Sequence, residues 1–181
     1  MSKHLLILDI DETLVYSAES PLKRPEDFRV GPYWVYKRPH LDDFLRSVSD
    51  WFDLAVWTSS GSAYAAATIS QLVGDCSKLK FLWSAERCTP RLDPETREEV
   101  RVKDFKKLKR AGYSLESVLV VDDSPEKHAR NYGNLIPVRP FVGDVNDSEL
   151  RELLPFLDWI RHRNDLRRIE KRNWRCFSVR S

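Results

Sequence analysis

The sequence predicts an α/β fold with a mostly parallel central sheet. Strand-like apolar runs alternate with segments of helical periodicity, and this alternation favours parallel strands joined by helical crossovers. Three of the runs also end in polar side chains: Asp9 and Asp11, Thr58, and Asp122 with Asp123. Because the carboxyl ends of parallel strands lie at one edge of a sheet, we expect these side chains to share a crevice.

The first element is the run at residues 5–13, which reads Leu-Leu-Ile-Leu-Asp-Ile-Asp-Glu-Thr. A buried strand that ends in two carboxylates suits phosphate chemistry, since one can attack phosphorus or bind a metal while the other transfers a proton. Taken alone, the same residues also fit an ordinary turn or a helix cap. A calcium-binding loop is excluded because its required Gly and Glu would fall on Leu14 and Ser20.

The following elements alternate in the same way. Residues 28–39 predict a β-hairpin around Gly31-Pro32, and the apolar spacing from His40 to Val48 predicts a helix. A second buried strand, a small-residue helix and a third strand are predicted at 53–57, 62–72 and 80–83.

Residues 86–102 are polar and densely charged, which predicts a surface excursion and fits a second hairpin. The segment contains Arg87, Arg91, Arg97 and Arg101 together with Asp93, Glu95, Glu98 and Glu99. Its arginines either pair with these acids on the surface or meet a phosphorylated chain, and we favour surface pairing.

Lys103 is predicted to open a short basic helix that ends at Arg110. The remaining elements are a fourth strand at 117–121, a helix start at Pro125, a fifth strand at 135–138 and a last helix at 150–160. Pro155 is expected to break or kink that last helix near its middle.

Length and charge divide the chain into one domain and a basic tail. The 181 residues are 41% hydrophobic, which is enough for a single core, and we predict one domain over residues 1–160. Residues 161–181 carry eight Lys or Arg against two acids, whereas residues 1–160 carry 22 against 26. Such a run is typical of a solvated helix end and tail, and it also suits an acidic partner or nucleic acid.

The N-terminal Met1-Ser2-Lys3-His4 leads directly into the first strand, without the apolar run of a signal peptide or a membrane helix. We therefore expect a cytoplasmic protein with no membrane partner. The three cysteines, Cys76, Cys88 and Cys176, fit neither a disulfide framework nor a zinc site.

Taken in order, these motifs resemble those of the haloacid-dehalogenase (HAD) superfamily of phosphatases. The matching residues are Asp9, Asp11 and Thr13 of the first motif, Thr58 of the second, Lys103 of the third and Asp122-Asp123 of the fourth. The chain is more narrowly similar to the branch of RNA polymerase II C-terminal-domain phosphatases and NLI-interacting-factor-like proteins. That similarity shows in Lys37-Arg38-Pro39-His40, Asp43-Phe44-Leu45 and Leu153-Leu154-Pro155-Phe156, and it covers about residues 4 to 160.

The resemblance implies a HAD-like Rossmannoid fold of three layers with β-hairpin insertions. The stretches between the motifs are filled by the hairpins, helices and strand already assigned, so no large cap domain is expected. An open site suits a phosphate that is presented on a macromolecule.

The resemblance also implies roles for the reactive groups. Asp9 would be the nucleophile that forms an aspartyl-phosphate, and Asp11 would be the general acid and base. Thr58 and Lys103 would bind the nonbridging phosphoryl oxygens as further catalytic residues, with Tyr64 beside the substrate.

A Mg²⁺ cofactor is implied in the same way. Asp9, the backbone carbonyl of Asp11 and Asp123 would hold it, while Asp122 would lie close to the metal or orient Lys103. Glu12 and His128 lie near these motifs in the sequence and are expected to face solvent.

The leading expectation is a magnesium-dependent phosphomonoester hydrolase that acts on phosphoserine or phosphothreonine protein. One alternative is a phosphatase of nucleic-acid ends or small phosphorylated metabolites, which the basic tail with Trp174 and Phe177 favours. A second alternative is a noncatalytic phosphate-binding scaffold, which would be expected to lack one of the reactive groups.

Overall fold

A five-stranded parallel sheet forms the centre of the computed structural model, which describes residues 3–92, 97, 99–128 and 131–177. In chain order the strands are β1 (Leu5–Leu8), β2 (Val15–Ala18), β3 (Phe28–Val30), β4 (Tyr33–Lys37), β5 (Asp53–Trp57), β6 (Leu82–Trp83), β7 (Thr89–Leu92), β8 (Glu99–Val102), β9 (Val118–Asp122) and β10 (Leu135–Pro137). The central sheet has the order β10-β9-β1-β5-β6. Leu8 pairs with Val56 on one side and Val121 on the other, so the carboxyl ends of β1, β5 and β9 lie side by side.

Burial on both faces explains why the central strands are continuous apolar runs. All four residues of β1 are buried. Because side chains alternate along a strand, Leu6 and Leu8 belong to one apolar cluster while Leu5 and Ile7 belong to the other.

Helices cover both faces of the sheet and complete three layers. The helices are α1 (Leu41–Trp51), α2 (Ser62–Val73), α3 (Lys106–Arg110) and α4 (Glu149–Ile160). Phe44 of α1, Ile69 of α2 and Leu153 of α4 belong to the larger cluster. Leu108 of α3 packs with Phe105 in the smaller cluster on the opposite face.

Two small antiparallel sheets are inserted between the central strands. The predicted hairpin at 28–39 is confirmed as β3 and β4, but β2 was not predicted and pairs with β4 through Tyr16 and Tyr36. The excursion at 86–102 contains the predicted second hairpin, formed by β7 and β8. Its acids Asp93, Glu95 and Glu98 lie outside the described residues.

Two local predictions are wrong. Lys103 does not open a helix: it follows β8 directly, its backbone N–H donates to Lys127 O at 3.0 Å, and α3 begins at Lys106. Pro155 does not break α4, which continues to Ile160. Pro155 is on the exposed side of this helix, where water can hydrate the carbonyl left without a donor, while the buried side packs against the core.

The segment after α4 folds back onto the domain. Leu166 and Trp174 are buried in the larger apolar cluster, and the indole Nε1 of Trp174 donates to Pro137 O at 2.8 Å. The predicted division between residues 160 and 161 stays a prediction. Within the described ranges, every helix is too short or too polar to span a bilayer.

Candidate active site

Four buried polar residues meet at the carboxyl edge of the central sheet. Asp9 follows β1, Thr58 follows β5, Asp122 ends β9, and Lys103 follows β8. The backbone N–H of Asp9 donates to Val121 O at 3.1 Å, which fixes the start of the Asp9 loop against β9. The predicted convergence of the strand ends is therefore seen in the geometry.

Lys103 is the cation at the centre of this cluster. Its fully buried Nζ donates to Asp9 Oδ1 at 2.6 Å and also to Asp122 Oδ2. Burial alone would lower the pKa of this ammonium, but the two carboxylates outweigh burial and raise the pKa above its usual value. Lys103 therefore stays charged and holds the two acids together.

Asp9 and Asp122 have opposite pKa shifts. Burial raises the pKa of Asp9 to about 7, although Lys103 opposes this shift. Burial also acts on Asp122, but Lys103 and His128 outweigh it and hold the pKa of Asp122 well below its usual range. Without a further cation beside it, Asp9 is thus the acid that is harder to ionise.

Both carboxylate oxygens of Asp122 are engaged by the protein. Oδ1 accepts from the backbone N–H of Ser124 at 2.8 Å, and Oδ2 accepts from Lys103 and from His128. These contacts support the alternative in which Asp122 orients Lys103.

Asp123 lies at the same edge and is held by Thr13. The hydroxyl of Thr13 donates to Asp123 Oδ1 at 3.0 Å and accepts from the backbone N–H of Asp123 at 3.2 Å. Asp9, Asp122 and Asp123 each offer an oxygen within 4.8 Å of the others. A donor set made only of carboxylate oxygens fits Mg²⁺, which prefers hard oxygen ligands.

Two hydroxyl groups hold the carboxylate of Asp11. Tyr64 donates to Oδ1 at 2.5 Å, and Ser60 donates to Oδ2 at 2.6 Å. Burial and the charge of Asp11 raise the pKa of the Tyr64 phenol, so this group remains a donor at neutral pH. Tyr64 was predicted beside the substrate; its contact within the protein is with the predicted acid and base.

Thr58 is fixed by the loop that follows it. Its Oγ1 accepts from the backbone N–H of Ser60 at 3.0 Å, and its own N–H donates to Trp83 O at 2.9 Å. Arg101 of the β7–β8 hairpin donates to Ser59 O at 3.4 Å. The hairpin therefore contacts the loop that carries Thr58.

Two residues of the site were not recognised from the sequence. The expectation that His128 faces solvent is wrong: the ring is fully buried and its Nε2 lies 2.8 Å from Asp122 Oδ2. Pro125 starts a 3₁₀ turn that ends at His128, and this turn brings the ring back over the end of β9. The matching expectation for Glu12, which is exposed, is confirmed.

Arg38 is the second residue whose role was missed, although its motif contributed to the resemblance. Its buried guanidinium donates to Thr13 O at 3.1 Å and to Arg139 O at 2.8 Å. It also forms two hydrogen bonds of 2.8 Å with Asp147. Arg38 thereby fixes the loop that begins at Asp11.

Comparison with known proteins agrees with this geometry. The family model described as NLI interacting factor-like phosphatase matches residues 4–167. The CTD nuclear envelope phosphatase 1 homolog of Drosophila melanogaster is 32% identical, and the match covers 96% of this chain and 74% of that protein. Nuclear envelope morphology protein 1 of Saccharomyces cerevisiae is 32% identical, and the match covers 92% of this chain and 41% of that protein.

Among solved structures, Fcp1, an essential RNA polymerase II CTD phosphatase, matches with a TM-score of 0.61 and 21% identity. The match covers 87% of this chain and 49% of the Fcp1 chain. This likeness confirms the predicted three-layer HAD-like fold.

The names of the relatives correct one expectation. A cytoplasmic location was expected, but the fly and yeast relatives are named for the nuclear envelope. The expected cytoplasmic location is therefore wrong. It rested only on the residues before β1, which do not determine where the protein acts.

Proposed function

Because the chain belongs to the NLI interacting factor-like phosphatase family, we propose that Asp9 is the nucleophile of its phosphoryl-transfer reaction. The family and the fold make the chain a phosphatase of the HAD type. The observation that carries our assignment is the position of Asp9: a buried carboxylate at the carboxyl end of the central strand, 2.6 Å from the ammonium of Lys103.

The proposed reaction has two displacements. In the first, a carboxylate oxygen of Asp9 bonds to phosphorus and the ester P–O bond breaks, while Asp11 gives its proton to the departing oxygen. In the second, Asp11 takes a proton from water, the water oxygen bonds to phosphorus, and the acyl phosphate bond breaks. Inorganic phosphate leaves and the carboxylate of Asp9 is restored.

Lys103 and Thr58 are proposed to bind the nonbridging phosphoryl oxygens. The ammonium of Lys103 and the hydroxyl of Thr58 are supplied by different elements, since Lys103 follows β8 and Thr58 follows β5. Donors that are fixed before the reaction stabilise developing charge without reorganising, which is the main source of catalysis in phosphoryl transfer.

Asp9, Asp123 and the backbone carbonyl of Asp11 are proposed to hold Mg²⁺. Bound there, Mg²⁺ would supply positive charge that lowers repulsion between the carboxylates and the anionic substrate. A divalent cation beside Asp9 also favours its ionised form, which is the nucleophilic form, and so counteracts the effect of burial.

A phosphorylated protein is the proposed substrate. The fly relative is named a CTD nuclear envelope phosphatase, and Fcp1 is described as an RNA polymerase II CTD phosphatase. The described part of the chain contains only small β-sheet insertions at the site, and an open site can accept a phosphate on a large molecule.

Hydrolysis of p-nitrophenyl phosphate by the wild-type chain and by Asp9→Asn, with and without Mg²⁺, tests the mechanism. We expect magnesium-dependent release of p-nitrophenol by the wild type and its loss in the variant. Activity that Asp9→Asn leaves unchanged would rule out the nucleophile assignment.

A panel of phosphopeptides, 5′- and 3′-phosphorylated oligonucleotides and sugar phosphates tests the substrate class. We expect preference for phosphopeptides. A preference for oligonucleotides that disappears when the exposed Arg167, Arg168 and Arg172 are replaced by Ser would support the nucleic-acid alternative instead.

A further inference from the structure

His128 is a buried histidine that the proposed two-step reaction does not use. Its ring is fully buried, and its Nε2 lies 2.8 Å from Asp122 Oδ2. The ring of Phe105 packs against it edge to face, with 5.7 Å between ring centroids. Burying a polar ring costs free energy unless its hydrogen bonds offset the loss of hydration.

The chemistry of Asp122 settles which ring nitrogen of His128 carries the hydrogen. An ionised carboxylate can only accept hydrogen bonds, so the Nε2 that faces it must be the donor. A second proton on Nδ1 would be a buried donor without an acceptor among the described residues, so the ring is neutral with Nδ1 unprotonated. Nδ1 is buried and has no hydrogen-bond partner among the described residues.

Asp122 connects His128 to the catalytic lysine. The same oxygen, Oδ2, accepts from both His128 and Lys103, and Lys103 also donates to Asp9. The backbone supports this connection, since the N–H of Lys103 donates to the carbonyl of Lys127 at 3.0 Å, one residue before His128. A displaced His128 would free the Asp122 carboxylate to rotate and move the Lys103 ammonium away from Asp9.

We propose that His128 is a positioning residue that acts through Asp122 on Lys103. The hydrogen bond from Nε2–H fixes the Asp122 carboxylate, and the carboxylate fixes the Lys103 ammonium where it meets both Asp9 and the phosphoryl group. The proposal rests on the proposed function, in which Lys103 stabilises the phosphoryl oxygens. His128 itself contacts neither substrate nor metal in this scheme.

Three variants separate positioning from simple packing. His128→Leu fills much of the space but removes the donor, His128→Gln keeps an amide N–H near the place of Nε2, and Leu157→Ala lowers stability from a buried position on α4. We expect kcat for p-nitrophenyl phosphate to fall about tenfold to a hundredfold in His128→Leu, because small misplacement of a catalytic group has effects of that size. KM should change much less, since the lost stabilisation develops mainly in the transition state.

His128→Gln and Leu157→Ala show whether His128 acts by positioning Asp122 or only by packing. His128→Gln should recover most of the lost rate, and Leu157→Ala should keep wild-type kcat at temperatures below its unfolding transition. Wild-type kcat in His128→Leu, or an equal loss in His128→Leu and His128→Gln, would overturn the proposal. If Asp9→Asn also kept its activity, the proposed function would have failed first, so the two failures are distinguishable.

A measurement independent of turnover tests the same hydrogen bond. In protein labelled with ¹⁵N-histidine, we expect His128 to give the chemical shifts of a neutral ring protonated at Nε2. A ring protonated only at Nδ1 would contradict the proposal, because such a ring cannot donate to Asp122.

Discussion

The phenol of Tyr64 donates a 2.5 Å hydrogen bond to Oδ1 of Asp11, and the same phenol oxygen lies 2.5 Å from Ser17 Oγ on β2. The strand that was not predicted from the sequence therefore supports the residue that holds the proposed acid and base. This link joins an inserted sheet to the catalytic edge of the central sheet.

Replacing Tyr64 by Phe should weaken acid catalysis. A hydrogen bond to a charged group contributes about 1.5–3 kcal/mol, so we expect kcat to fall about tenfold or more. The loss should be larger for phenyl phosphate than for p-nitrophenyl phosphate, because the poorer leaving group depends more on proton donation. Tyr33→Phe is a matched control, since Tyr33 packs edge to face on Tyr64. An equal loss with both substrates would argue against a role for Tyr64 in holding the acid.

The raised pKa of Asp9 predicts how the metal-free protein responds to pH. Its pKa is about 7 in the folded state against 3.8 for an unperturbed Asp, so the folded state binds the proton more tightly. The contribution of Asp9 to stability therefore falls as pH rises from about 4 to about 7 and is lowest above that window. In EDTA, Asp9→Asn should gain stability relative to the wild type between pH 5 and pH 8, measured by urea unfolding. A stability difference between Asp9→Asn and the wild type that is the same at pH 5 and pH 8 would contradict the raised pKa. Adding Mg²⁺ at pH 8 should stabilise the wild type more than the variant.

Removing the buried cation should affect both activity and stability. Lys103→Met preserves much of the volume but leaves two buried carboxylates without their partner, and breaking a buried ion pair costs about 3–5 kcal/mol. We expect a destabilised protein in urea titrations and little turnover of p-nitrophenyl phosphate. Lys106→Met, at an exposed position in α3, should match the wild type in both measurements. A Lys103→Met protein as stable as the wild type at pH 8 would show that the two carboxylates do not depend on this lysine for their stability.

Arg38 should matter to the site although it does not reach the catalytic edge itself. Arg38→Leu removes the donors to Thr13 O and Arg139 O and leaves Asp147 unpaired, with an expected loss of about 3 kcal/mol or more. Because the loop from Asp11 to Thr13 also positions Asp123, magnesium activation should require higher metal concentration. Arg46→Leu breaks an exposed pair with Asp43 and should change stability by less than about 1 kcal/mol. If Arg38→Leu needed no more Mg²⁺ than the wild type for activity, Arg38 would have no role in positioning the proposed metal site.

The sequence predicted the parts of this molecule whose signals are local. The apolar runs of the central sheet, the carboxylates after them and the hairpin of β3 and β4 all follow from residue type and short spacing. The remaining features depend on which distant segments pair or pack together in the folded chain. Val15–Ala18 becomes a strand because β4 lies beside it, and Pro155 is tolerated because the opposite side of α4 packs on the core. The burial of His128 depends on how a turn of four residues meets the end of β9, which spacing along the chain does not reveal.

The central place of β1 has a consequence for the order in which the molecule is made. During synthesis β1 leaves the ribosome before either of its partners, yet one of its edges pairs with β5 and the other with β9, far along the chain. Contacts between distant segments form slowly, since closing long loops costs entropy before the pairing compensates for it. A nascent chain that has not reached Asp122 therefore displays Asp9 on a strand with one open edge, and it carries neither Asp122 nor Asp123 with which to complete the acid cluster. The acid cluster is therefore complete only after β9 and Asp123 have emerged, and until then the open apolar edge of β1 can pair with other chains.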